Sequence, residues 1–342
     1  MWVCPMARRA RRVAPRRQRG VAIITALLVV MLAATIASYL LAQQSEALTR
    51  VERATERAQL GLHATTTLEW ARSALVAQQK NSVYVALSQP WAQGLVARPI
   101  DTAIATGLLR DAQAKFNINN LIDGNGKRRD ADFDIFTRLL TILKLDRGLA
   151  NAVLDWIDRD DDVSGPNGAE NSTYWSQSAS GAARTDNEGT GNYGAANRPL
   201  LNIEELLRVK GMDERILRTL TPFVTALPTP NGDRTRVNIN TTSMEVLSAL
   251  FPNVNADELT ETIRVRELPY TNAADIRERR PKLPATIVDA HLEANSRYFE
   301  ATLAITGQHA QIRQAALLQL QAAPAGGGNL AWPAIIWVKE NG

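Results

Sequence analysis

Residues 21–42 (VAIITALLVVMLAATIASYLLA) form an apolar run of 22 positions without a charge. As a helix rising 1.5 Å per residue the run is about 33 Å long, enough to cross the hydrocarbon core of a bilayer. From Gln43 to Gln79 the chain has no proline and a single glycine, Gly61. Apolar positions there recur at three and four: Leu48, Val51, Ala54, Ala58, Leu62, Thr65, Leu68, Ala71 and Leu75. Glu46 and Arg50 sit four apart, a spacing that supports a solvated helix face. The pattern predicts one helix over 21–79, about 90 Å long, apolar all round at first and amphipathic afterwards.

The rest is more broken. Residues 88–99 (SQPWAQGLVARP) read as a loop, and 101–118 as a short helix or a strand leading into Phe116-Asn117-Ile118. Residues 123–134 are polar and loop-like, and 135–157 read as two helices parted near Asp146–Gly148. The stretch 159–198, rich in Asp, Asn, Gly and Ser with isolated Tyr174, Trp175 and Tyr193, reads as a long loop. Two amphipathic helices around Gly211 follow, ended by Pro228 and Pro230. Asparagine stands beside isoleucine in FNIN (116–119), LNI (201–203) and VNIN (237–240), which suits capping and turn closure. Thr242 with Glu245 reads as a capping box, and Thr271, Asn272 and Asp275 as a further helix start. From Arg297 onward imperfect alternation, a turn near Gly307, a GGGN turn and a last strand in PAIIWVKE predict an antiparallel meander.

Charge gives the membrane segment a direction. The net charge of +4 hides an asymmetry: residues 1–20 hold seven arginines (8, 9, 11, 12, 16, 17 and 19) and no acid. Removing those seven from the 39 basic residues leaves 32 against 35 acidic, a net −3 for residues 21–342. The basic flank stays cytoplasmic and the remainder crosses to the other side. A slightly acidic body argues against general nucleic-acid affinity. One cysteine, Cys4, excludes a disulfide framework, and three separated histidines (His63, His291, His309) speak against a zinc enzyme. The apolar run is too long for a secretory signal, and SYLLAQQS fits a small-x-small cleavage site poorly.

Arg16-Arg17-Gln18-Arg19-Gly20 followed by Val21 and the apolar run resembles the class III leader of type IV pilins and type II secretion pseudopilins. The resemblance implies that a prepilin peptidase cuts between Gly20 and Val21 and that the new amine of Val21 is methylated. Most such proteins carry glutamate at the fifth mature position, which here is Thr25. That departure, with the length of the chain, resembles the general secretion pathway protein K family of minor pseudopilins. KFNINNL, AVLDWIDRDD, NRPLLNIEELLRVKGM, VNINTT and SRYFE resemble the same family.

The resemblance implies an α+β fold: a pilin-like long N-terminal helix with a small antiparallel sheet, and a large inserted all-helical domain. The expected organisation is a leader at 1–20, a long helix at 21–79 with 21–42 in the membrane, and sheet portions at 80–115 and 297–340. The inserted helical domain takes 116–230, with a second helical segment at 231–296. The implied role is to cap the tip of the type II secretion pseudopilus and help start its assembly for protein export. Implied partners are minor pseudopilins I and J, then H, the major pseudopilin G, the inner-membrane assembly platform and the prepilin peptidase, with membrane lipid before assembly. The implied location is the inner membrane, single-pass, with the C-terminal part periplasmic. Leu48, Val51 and Leu62 are the expected packing positions for partner helices. The alternatives are a minor pilin of a type IV pilus and an envelope DNA-binding or DNA-uptake protein.

Candidate chemistry is confined to carboxylates. Asp155, Asp158, Asp160, Asp161 and Asp162, with Glu170 beyond, form the densest acidic cluster. Hard oxygen donors without histidine favour calcium over a transition metal, although the spacing is not that of an EF-hand. The same residues also read as a solvated acidic linker. Aspartates 158, 160 and 162 alternate, which lets carboxylates converge in a loop, and Glu170 eight residues on can close from behind. The family resemblance implies calcium in this region; Asp160, Asp162 and Glu170 are the first-choice ligands and Asp158 the next. Asp123, Asn125 and the following Asp130, Asp132 and Asp134 read as a polar turn interrupted by Lys127, Arg128 and Arg129. Val209–Asp213 resembles a helix-hairpin-helix turn, which holds DNA phosphate in other proteins; Glu204, Glu205 and Glu214 oppose that use. No G-x-S-x-G or phosphate-loop motif is present, and the expectation is a protein that is not an enzyme and binds no nucleic acid.

Overall fold

The computed structural model describes residues 19–179, 194–321 and 331–341. Residues 1–18 of the expected leader, Tyr193 and the expected GGGN turn lie outside them. Two compact units divide the chain between Gln59 and Leu60.

Helix α1 runs from Arg19 to Asn81 without a break, 63 residues. In the first unit every side chain from Val21 to Thr55 is exposed. Among the described residues this is the one helix long and apolar enough to cross a membrane. The Thr25 hydroxyl donates to the carbonyls of Val21 (3.1 Å) and Ala22 (3.0 Å), so the helix satisfies it internally.

In the second unit α1 buries one face on a sheet. Leu68, Ala71 and Leu75 pack with Leu109, Ala301, Leu303, Ala316 and Leu318, while Leu60 and Ala64 pack with Ala103, Ala105, Ile305 and Ile312. The buried positions 60, 64, 67, 68, 71 and 75 follow the helical repeat. The expected stripe departs from this at Ala58, Leu62 and Thr65, which are exposed. Steps of three residues fall about 60° short of a full turn, so 62–65–68 walks off the face that 60–64–68 keeps.

After α1 come β1 (Leu95–Ile100) and β2 (Ala103–Asp111), an antiparallel pair. Residues 101–111, open between helix and strand in the sequence, are thus strand from Ala103, and part of the expected 88–99 loop is β1. Strict alternation along β2 puts Ala103, Ala105, Gly107 and Leu109 under α1. A Cβ on Gly107 would lie 3.1 Å from Leu303 and 3.4 Å from Trp70, so the glycine leaves room for Trp70 of the helix to pack on the strand.

The chain then leaves the sheet. It forms β3 (Phe116–Asn117), α2 (Asp130–Ile142), α3 (Leu149–Ile157), α4 (Asn171–Ala179), α5 (Glu214–Leu220) and β4 (Val224–Thr225). Next come β5 (Val237–Asn238), α6 (Met244–Leu250), α7 (Ala256–Arg264), α8 (Ala273–Arg279), α9 (Ala285–His291) and β6 (Leu292–Glu293). It returns as β7 (Tyr298–Thr306), β8 (Gln311–Gln319) and β9 (Ala334–Asn341), giving a five-stranded sheet in the order β1-β2-β7-β8-β9. Every pairing in that sheet is antiparallel. The α+β class, long helix, small antiparallel sheet and helical insertion are as expected.

Several local expectations change. Helix α2 begins inside the stretch read as loop, because Asp130 and Asp132 complement the positive end of its dipole. Helix α4 occupies part of the expected 159–198 loop. Residues Ile203–Arg208 form a 3₁₀ turn rather than an α-helix; Asn202 supplies no side-chain cap and the chain extends again at Val209. The cap of α6 is Ser243, which accepts from the Val246 amide, and not Thr242.

The asparagine echo has a structural reading. Asn117 and Asn238 each accept from the amide two residues on, closing a tight turn. Asn119 then grips the backbone of Leu200 on both sides, and Asn240 that of Tyr270. The FNIN and VNIN motifs each hold a distant chain segment through a side-chain amide, and each begins at a two-residue parallel ladder, β3–β4 or β5–β6, which LNI does not share. At the neck, buried Asp111 accepts from the Gln113 amide, Asn238, Thr241 and Ser296, tying the exit from β2 to the return into β7.

Candidate metal centre

Helix α3 is buried along almost its whole length, and its last turn carries two carboxylates on one side. Asp155 lies in the helix and Asp158 caps it, three residues apart and therefore on one face. Glu170, just ahead of α4, closes from the opposite side of the intervening loop. One oxygen from each of Asp155, Asp158 and Glu170 lies within 4.8 Å of the others, and all three residues are buried.

The loop is built to hold this geometry. Asp155 accepts from the amides of Ser164 (3.1 Å) and Ala169 (2.7 Å). A Cβ on Gly168 would sit 2.5 Å from the Asp155 carboxylate and 2.7 Å from Val163, so only glycine lets the backbone pass. Asn151 of α3 donates to the Pro166 carbonyl and Lys210, in the turn before α5, to the Gly168 carbonyl, pinning the loop from two sides of the chain. Tyr174 of α4 stacks edge-on against Trp156 with centroids 5.1 Å apart.

Those contacts leave the carboxylates short of partners. Asp158 Oδ1 and both Glu170 oxygens are buried without a hydrogen-bond donor among the described residues. Burial, with Asp160 and Asp155 nearby, pushes Asp158 up to about 7; burial, with Asp158, Asp155 and Asp161, pushes Glu170 up to about 8. Asp155 is raised as well, first by burial and against the hydrogen bonds it accepts. Three converging carboxylates at the negative end of a helix dipole call for a cation. Metal–oxygen distances of about 2.3–2.6 Å place oxygens around calcium at separations of this order. The donor set is all oxygen, so it fits calcium; three carboxylates would hold the ion, with the rest of a six- to eight-oxygen shell coming from carbonyls or water.

The spacing-based choice is corrected in part. Asp158 and Glu170 are in the cluster. Asp160 and Asp162 are at the surface, where Asp160 accepts from the Asp162 amide. Alternation along a strand-like loop is broken by this turn, which sends both side chains to solvent. Asp155, counted in the acidic cluster but not among the expected ligands, joins Asp158 and Glu170 here; its i,i+3 relation to Asp158 on a helix was the available signal.

The other candidates fall elsewhere. Asp123 closes a turn by accepting from Asn125 and Lys127, hydrogen bonds that hold its carboxyl below the usual range. Asp132 is spent on Arg234. In the hairpin-like turn, Val209 and Met212 are buried and Asp213 caps α5, so packing accounts for the motif. Gly20 and Val21 lie in the first turns of α1. Leu48 and Val51 are 60% and 61% exposed in the first unit, and Leu62 is 70% exposed in the second.

Comparison with known proteins agrees with this architecture. Residues 114–229 match the family model described as type II secretion system (T2SS), protein K. The type II secretion system protein K of Aeromonas hydrophila is 30% identical over 311 residues, 84% of this chain and 88% of the relative. That of Klebsiella pneumoniae is 29% identical over 326 residues, covering 89% and 93%. The fold is similar to a chain in the crystal structure of the GspK–GspI–GspJ complex from the enterotoxigenic Escherichia coli system. That match has a TM-score of 0.69 at 24% identity and covers 86% of this chain and 99% of the other. A long apolar helix, a sheet interrupted by a helical insertion, and relatedness at this level over more than four-fifths of the chain place it in the type II secretion system protein K family.

Proposed function

We propose that this chain caps the tip of a type II secretion pseudopilus and helps to start its assembly. The observation that carries the reading is the insertion between β2 and β7, residues 112–297, on a subunit that also has an exposed apolar helix. A helix of that kind packs against other helices once it leaves lipid. An insertion of that bulk would obstruct stacking if every subunit carried it, and is accommodated where nothing is stacked above. Thr25, satisfied within its own helix, offers no carboxylate to the amine of a preceding subunit. A subunit at the tip has none ahead of it.

The same reading supplies the earlier steps. A prepilin peptidase removes residues 1–20, leaving Val21 as a methylated terminus. Before assembly the helix anchors the protein in the inner membrane, with the second unit periplasmic. Pseudopilins I and J are the first partners, as the related E. coli chain was crystallised in a complex with its own GspI and GspJ. H, the major pseudopilin G and the assembly platform follow. Leu48, Val51 and Leu62 serve helix packing. Calcium held by Asp155, Asp158 and Glu170 braces α3, α4 and the loop between them; the role is structural and no catalysis is assigned.

Gold-labelled antibody against the second unit, applied to pseudopili assembled with the complete set of subunits, tests the placement. Label at one end only is the expected result. Label spaced along the shaft would contradict it.

A further inference from the structure

Helix α7 ends in a short 3₁₀ turn, Val265–Glu267, and the arginine at its centre is placed unlike the others nearby. Three guanidiniums, those of Arg266, Arg279 and Arg280, act on the buried Tyr270. Arg279 pairs with Asp275 and Arg280 with Glu258. Arg266 has no ion pair with a carboxylate among the described residues; its Nη1 donates to the Thr242 carbonyl at 2.7 Å. Its Nε and Nη2 share the other edge of the planar group, where their N–H bonds run parallel. Both nitrogens are buried and meet no acceptor among the described residues. The Thr242 hydroxyl, on the residue whose carbonyl anchors this guanidinium, is also buried and has no partner there. Burial lowers Arg266 to about 10, so the group stays charged at neutral pH. Three positive groups thus share two carboxylates, and the unmatched charge faces inward.

We propose that Arg266 and Thr242 hold one halide-sized anion, chloride, between the Nε–Nη2 edge of the guanidinium and the threonine hydroxyl. Enclosure and charge select this occupant. The two nitrogens have no exposed surface, so a carboxylate carried by another protein does not reach them. Water would accept their hydrogen bonds but leave the buried charge unbalanced, and an unbalanced buried charge is costly. A phosphate would bring more negative charge than the single unmatched arginine offsets. Chloride balances one charge and accepts hydrogen bonds from any direction, and a guanidinium is weakly hydrated, so little is lost in drying it. Arg266 and Thr242 stand 24 residues apart. The ion therefore fastens the exit of α7 to the approach to α6, beside the contact that the Thr242 carbonyl already makes.

The test is the melting temperature of the full chain in detergent, in sodium chloride and in sodium gluconate at equal ionic strength and fixed calcium. Gluconate is too large to enter. Chloride should raise the melting temperature by about 2–4 °C, with saturation as its concentration rises. R266M should abolish the difference between the two salts, and T242V, which keeps the shape and removes the hydroxyl, should reduce it. Circular dichroism establishes that each variant is folded; should R266M not be, T242V decides alone. In crystals of the wild-type chain soaked in bromide, an anomalous-scattering peak should lie between Arg266 and Thr242. Equal melting of wild type in the two salts would overturn the proposal. A chloride effect undiminished in the folded variants would mark a general salt effect and overturn it as well. Bromide crystals with water alone at the site would do the same.

Discussion

Three carboxylates buried together dominate the chemistry at the scale of single residues. Without metal, Asp158 and Glu170 have folded-state values of about 7 and about 8, above their ordinary 3.8 and 4.5. A raised carboxylate binds its proton more tightly in the folded state. Its contribution is therefore intact at low pH and lost as pH rises from about 4 through 7 to 8. The metal-free protein is expected to melt lower at pH 8 than at pH 5, and calcium to reverse that trend by replacing protons with a divalent charge. At a hundredfold excess over Kd, calcium should add about 2.7 kcal/mol, several degrees of melting temperature. Asp155→Asn should remove most of the calcium effect, whereas Asp160→Asn and Asp162→Asn, at exposed positions, should retain it. Scanning calorimetry with calcium and with chelator reads all of these; a melting temperature indifferent to calcium at pH 8 would contradict the metal centre and leave a buried cluster of protonated carboxyls. The sequence showed Glu170 and Asp158 because they stand in a visibly polar stretch. Asp155 was legible as a member of the acidic cluster but not as a candidate ligand, because it stands among the apolar residues of AVLDWI, inside the helix rather than in the loop.

Among the elements, α1 was legible in its extent and misread in its rotation. No helix breaker interrupts it, and the charge-free run and the later apolar repeat are unmistakable in the sequence. The face was lost at Leu62 and Thr65, because neighbouring apolar residues offered two stripes and only the sheet decides between them. Leu75, fully buried, and Leu62, 70% exposed, therefore make a direct contrast. Leu75→Ala should cost about 2–5 kcal/mol of stability through the cavity it leaves, while Leu62→Ala should change stability by about 0.5 kcal/mol or less. Leu62→Asp should instead weaken association with partner helices, since burying a leucine side chain is worth about 1.5–3 kcal/mol. Chemical denaturation separates the first pair, and binding measurements on folded protein the last. The short helices of the insertion were less legible. Their order depends on side-chain amides such as Asn119 and Asn240 gripping segments 81 and 30 residues away, a long-range property that local pattern does not carry.

The whole molecule combines a basic N-terminal segment, an apolar helix and a slightly acidic remainder. The class was expected from the family resemblance rather than from local pattern, and in the structure the segment that interrupts the sheet between β2 and β7 holds Phe116-Asn117-Ile118-Asn119 near its start and ends at Arg297. With a prepilin peptidase, N-terminal sequencing should find a product that starts at Val21 and has 322 residues, the 342 less the leader of 20. Gly20→Leu should leave the precursor uncut and anchored. The claim that this protein begins a filament rather than forming its shaft is tested most directly by sedimentation velocity. The processed full chain would be run in detergent, alone and mixed with pseudopilins I and J. A monomer alone and a single equimolar species in the mixture are the expected result. Filaments of the chain by itself, or three separately sedimenting boundaries at tens of micromolar, would contradict it.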